Sequence, residues 1–152
     1  MSPSPGLTSA ELHAWRGFLR AHATVVRALE ADLQAEHDLP LASYDVLVQL
    51  SEAPERRMRM SQLADRCLAS RSRLSHAVSR LEERGWVARE VCVEDGRGQL
   101  AVLTDVGFAA LEAAAPVHVT SVREHLFDQL SPAQVAAMRE IGETLLRHLD
   151  PR

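Results

Sequence analysis

From Ser70 to Gly85 the chain sets hydroxyls, guanidinium groups and an imidazole at helical spacing. Wound at 100° per residue, residues 71–84 divide into two faces. Leu74, Ala77, Val78 and Leu81 cluster on one side. Ser72, His76 and Ser79 point the opposite way, with Arg73, Ser75 and Arg80 on the flanks. Arg and His donate to guanine O6 and N7, and Ser takes either role. Small side chains let a helix lie deep in a groove, and this face carries no acid before Glu83. On its own, such a face is as common on an ordinary solvated helix.

A second group follows 17 residues after Arg80: Arg97, in the Gly-flanked stretch Glu94-Asp95-Gly96-Arg97-Gly98. A guanidinium at a turn tip can enter a narrow minor groove, where the negative potential favours it. Asp95 can orient that guanidinium through a two-pronged pair. Asp-x-Arg in a turn is by itself more often a surface ion pair. After a polar-faced helix it is far more specific.

These groups need particular elements to hold them. Thr8-x-x-Glu11 is a capping box, and Leu12, Trp15, Leu19, His22, Val26, Leu29 and Leu33 follow in alternating steps of three and four. That pattern predicts a helix of about 25 residues with a coiled-coil-like seam, which a second copy of the chain would cover. His37–Pro40 ends it. A second helix is expected over about Leu41–Ser51, then a very short extended stretch at Arg57–Met60. Ser61 is read as the cap of a third helix and Ser70 as the cap of a fourth, Arg71–Arg84, which stops at Gly85. Trp86–Val91 and Leu100–Thr104 alternate like the two strands of a hairpin. A long helix to about Gln129 is expected to kink at Pro116, and Ser131-Pro132-x-Gln134 opens the last. The order is that of a winged helix-turn-helix. The fold class is therefore mainly α with a small β-hairpin wing. Residues 41–104 form the winged lobe, and residues 8–37 and 105–150 form dimerisation helices, all in one domain.

Composition fits such a protein. At 46% hydrophobic and 25% charged the 152 residues can bury a core. The net charge of −4 conceals a split, because residues 54–100 hold ten arginines against seven carboxylates. A chain acidic elsewhere can still present a local positive face to phosphates. No apolar run reaches the roughly 20 residues of a membrane span, and Met1–Gly6 lacks the order of a signal peptide, so a cytoplasmic location is expected.

Three stretches resemble the MarR family of bacterial regulators: Ser61-Gln-Leu-Ala-Asp-Arg66, Leu74-Ser-His-Ala-Val-Ser-Arg-Leu-Glu-Glu-Arg-Gly-Trp-Val87, and Asp95-Gly-Arg97 followed by Leu103-Thr-Asp-Val-Gly107. The resemblance implies a homodimer whose first and last two helices interlock. It also implies an inverted-repeat operator in double-stranded DNA, and a repressor released by a small phenolic or anionic effector. Carried over by position, Ser72–Arg80 is the recognition helix, Arg97 the wing arginine and Asp95 its partner. The expected DNA-facing set is Ser61, Gln62, Ser70, Arg71, Ser72, Arg73, Ser75, His76, Ser79, Arg80, Asp95 and Arg97. Gly96 stands where the family often has another Arg, Cys92-Val93 replaces a common Asp-Pro, and Glu90 and Val91 replace basic residues. This wing is therefore less cationic than the family pattern.

An effector pocket is expected to involve Trp15, Phe18, His22 and Asp45, although Trp15 and Phe18 also suit a core. Urate-responsive relatives use a Trp, an Asp and a recognition-helix Arg. Ala77 stands at the third position here, which argues against urate. No cofactor or metal is expected, since His118 and His125 lie two helical turns apart, too far for one ion. Cys67 suits a small core position, and neither it nor Cys92 carries the placement of the family's peroxide sensors. No phosphate loop, nucleophile elbow or zinc-hydrolase helix argues for an enzyme. The rival reading is a winged-helix dimer serving only protein interaction; an apolar recognition face would favour it, and this face is rich in Arg and Ser.

Overall fold

The computed structural model describes residues 6–91 and 98–149. Six α-helices and three strands follow in the order α1 (Ser9–His37), α2 (Leu41–Ser51), β1 (Arg57–Arg59), α3 (Met60–Arg66), α4 (Arg71–Glu83), β2 (Val87–Val91), β3 (Gln99–Leu103), α5 (Asp105–His125) and α6 (Pro132–Leu149). The strands form an antiparallel sheet in the order β1-β3-β2, with Arg59 opposite Leu100 and Val91 opposite Gln99.

Local chemistry sets most boundaries. The Thr8 amide donates to Glu11 Oε2 at 2.7 Å and the Glu11 amide to Thr8 Oγ1 at 3.2 Å, closing the expected capping box. The chain leaves α1 at Asp38, whose φ is 50°. Ser70 caps α4 by accepting from the Arg73 amide at 3.2 Å, and Gly85 ends that helix at φ 69°. Ser131 and Gln134 reproduce the box at α6. Two expectations need correcting. Ser61 caps nothing: Arg59, still extended from β1, occupies the N-cap of α3, so Ser61 lies inside the helix. The long helix stops at His125, and Phe127–Gln129 forms a separate 3-10 turn. Pro116 is accommodated within α5, which continues on both sides of it.

The chain divides into two compact units. One comprises the described residues up to Leu29 and from Val119 onward; the other is Glu30–His118. The second unit holds the winged lobe and a continuous core from Leu33 to Ala114. Leu74, Ala77, Val78 and Leu81 deliver the apolar face of α4 to it. Burying a Leu or Val side chain is worth about 1.5–3 kcal/mol, enough to fix which way the helix is rotated. At the lobe's edge, Thr104 ties the wing to α5. Its hydroxyl donates to the Gly85 carbonyl at 2.7 Å and accepts the Gly107 amide at 3.0 Å. Gly107 is required there, because a Cβ would lie 2.0 Å from the Trp86 carbonyl oxygen. The Arg56 guanidinium lies 3.8 Å from the centre of the Phe108 ring and 3.2 Å from Asp105. Together these contacts fix the start of α5.

Candidate nucleic-acid interface

With its apolar side buried, α4 presents Ser72, Arg73, His76 and Arg80 to solvent. Arg71 also lies exposed in the first turn. The first turn of α4 carries no acid, so the helix dipole leaves its N-terminal end positive. Ser61 and Gln62 lie exposed on the first turn of α3. Between α3, α4 and the base of the wing runs an open cleft of about 440 Å³, lined by Arg59, Ser61, Arg71, Ser75 and Gln99 among others. Hydroxyl and guanidinium groups thus share one concave surface.

Ser75 and Ser79 are used differently from their neighbours. Both accept from the Nη2 of Arg89 on β2: the Ser75 Oγ at 3.3 Å, the Ser75 carbonyl at 3.0 Å and the Ser79 Oγ at 3.2 Å. Arg89 Nη1 meets Glu82 at 3.1 Å. The 100° wheel places Ser79 outward, yet it is half-buried beneath this guanidinium. Arg89 was absent from the expected site, as was Arg59 in the cleft. The run of arginines in residues 56–59 was a usable signal for Arg59. For Arg89 the signal exists only once β2 is registered beside α4. Asp95 and Arg97, the expected wing pair, lie outside the described residues, as does Cys92.

The expected effector residues divide between the two units. Trp15, Phe18 and His22 stack along one side of α1, with successive ring centroids 6.3 Å apart. Trp15 and Phe18 are at least half exposed in the single chain. Asp45 lies in the winged unit and accepts a hydrogen bond from Cys67. Burial first, and then the Asp45 charge, pushes the Cys67 thiol up to about 12, so it stays protonated. His118 packs against Tyr44 with centroids 4.5 Å apart and the rings tilted by 38°, and burial lowers its pKa while Asp45 works the other way. Among the described residues no three His, Cys, Asp or Glu side chains are grouped to hold a metal, and no helix is long and apolar enough to cross a membrane.

Known proteins share this fold. The MarR family profile matches residues 37–98, from the last residue of α1 past β2 and ending just before β3. Sco3205 of Streptomyces coelicolor, a MarR family transcriptional regulator solved in complex with DNA, is 43% identical. It superposes with a TM-score of 0.90 over 97% of this chain and 93% of its own. AbsC of the same organism, another MarR family transcriptional regulator, is 40% identical with a TM-score of 0.87, over 98% of this chain and all of its own. An uncharacterized HTH-type transcriptional regulator of Bacillus cereus is 25% identical over 115 residues, 76% of this chain and 75% of that protein. A buried apolar face on α4, an outward Arg, Ser and His face and a three-stranded sheet stand here in a chain 43% identical, over nearly its whole length, to one of these regulators: the protein belongs to the MarR family of transcriptional regulators.

Proposed function

We propose that the chain is a homodimeric repressor that reads an inverted-repeat operator with α4 and its wing, and that a small phenolic or anionic molecule releases it. The observation that carries the reading is the outward face of α4. Four exposed hydrogen-bonding residues, Ser72, Arg73, His76 and Arg80, stand opposite four buried apolar ones. A surface built only to dock protein would be apolar at its centre. Ser61, Gln62, Ser70 and Arg71 flank the face and suit phosphate contacts. Arg97 is assigned to the minor groove, with Asp95 as the residue that orients its guanidinium, by resemblance and by their Gly-flanked setting. Sco3205, solved with DNA, supports the same partner here.

The dimer rests on apolar surface that a single chain leaves uncovered. Ile141, Leu145, Leu146 and Leu149 of α6 are all exposed, and so are Trp15, Leu19 and Val26 of the α1 seam. The effector reading rests on the Trp15-Phe18-His22 stack, with Asp45 as a further candidate. Fluorescence anisotropy on a duplex selected by the wild type tests the DNA reading. Arg97→Ala should weaken specific binding by about 1–3 kcal/mol, the scale of a well-placed groove contact, and Asp95→Ala by less. Unchanged affinity in Arg97→Ala would mean that the wing stays out of the groove.

A further inference from the structure

Arg89 adds a polar tie between two elements that also share the lobe's buried core, through Leu81 of α4 and Val87 and Ala101 of the hairpin. Gly85 and Trp86 lead from α4 into β2, and the Trp86 amide donates back to the Leu81 carbonyl at 2.9 Å. The ladder to β3 holds the strands to each other, and Val87, Ala101 and Leu103 seat the hairpin in the core that also holds the apolar face of α4. Arg89, three residues beyond Trp86, adds a directional polar restraint between hairpin and helix. Its Nη2 reaches Ser75 and Ser79, and its Nη1 reaches Glu82. These seats are four and three residues apart, so they form one stripe of α4. The stripe lies between the buried face and the exposed one.

We propose that Arg89 is a positioning residue, seated on Ser75, Ser79 and Glu82, that locks the wing against the recognition helix so that both reach DNA as one rigid reader. The inference rests on the DNA-binding reading above. Arg89 is a poor phosphate ligand in this state. Its side chain is only 24% exposed, its charge faces Glu82, and its Nε is buried without a partner. A fork of two nitrogens on three acceptor residues suits orientation, because guanidinium geometry is planar and fixed. A lysine could meet only part of that seat.

The test uses the full-length protein, a duplex selected by the wild type, and a scrambled duplex, across a salt series. Arg89→Met should lower the ratio of the two affinities about tenfold while leaving the salt slope unchanged. Arg89→Lys should fall between Met and wild type. Glu82→Gln and Ser79→Ala should lower the same ratio, and the Arg89→Met, Glu82→Gln double variant should be no worse than Arg89→Met alone. Both single seat variants keep the test open if Arg89→Met does not fold. Two results would overturn the proposal in favour of a phosphate contact: a salt slope reduced by about one with both duplexes weakened alike, or tighter operator binding in Glu82→Gln. An unchanged ratio with only a lower melting temperature would reduce Arg89 to a structural ion pair. A wild type that selects no duplex over the scrambled one removes the DNA reading and this inference with it.

Discussion

The winged unit and the unit of chain ends are built on different terms. Among the described residues, all nineteen buried apolar side chains fall between Leu33 and Ala114, inside the winged unit. The chain ends contribute none, and α6 has no buried residue although it carries Met138, Ile141, Leu145, Leu146 and Leu149. A lobe with its own core can hold a reading surface steady. Helices whose apolar stripes face water need a partner to complete them. The contrast teaches that the buried core and the exposed apolar stripes lie on different parts of the chain, with the proposed reading face on the part that holds the core.

The sharpest way to break this contrast is to charge α6. Light scattering of the wild type should give about twice the 16.8 kDa chain mass. Ile141→Asp or Leu145→Asp should raise the dimer dissociation constant about a hundredfold or more, since a buried unpaired carboxylate is costly, while near-neutral changes in the lobe leave assembly intact. A monomeric wild type, or a variant that dimerises normally, would end the assignment of this face.

Within the lobe, Gly107→Ala should have the next largest effect. The added methyl meets the Trp86 carbonyl and the Leu103 side chain, so wing and α5 must separate. A loss of about 2–3 kcal/mol is expected in urea unfolding at fixed protein concentration. A loss below about 0.5 kcal/mol would show that this junction yields easily. Leu68→Gly should act in the opposite sense and by less. Leu68, in the turn between α3 and α4, has φ 49° and is 95% exposed, so glycine relieves backbone strain and forfeits no packing. A gain of about 1 kcal/mol is expected in the same measurement. Destabilisation instead would mean that the leucine is held by contacts outside the single chain.

Much of this architecture is legible in the sequence because it is local. The Thr8–Glu11 and Ser131–Gln134 boxes, the Ser70 cap and the Gly85 stop are each written within four residues, and each is formed. The inward face of α4 follows from spacing alone. What spacing does not show are meetings between distant segments. A helical wheel treats α4 as isolated, so it could not place Arg89 on Ser75 and Ser79, 14 and 10 residues back. Likewise, nothing near Asp45 in sequence indicates Cys67 or His118. Ser61 has the residue type of a cap, but β1 feeds straight into α3 and puts Arg59 in that position.

The central claim is that the exposed face of α4 reads base sequence. Binding-site selection on the wild type, Arg73→Ala and His76→Ala tests it most directly. The account predicts that the wild type selects an inverted repeat with half-sites about one helical turn apart. Each variant should then lose base preference at one or two symmetric positions, with the remaining positions unchanged. Selection of no inverted repeat by the wild type, or of the same repeat by both variants with uniformly lower affinity, would contradict it.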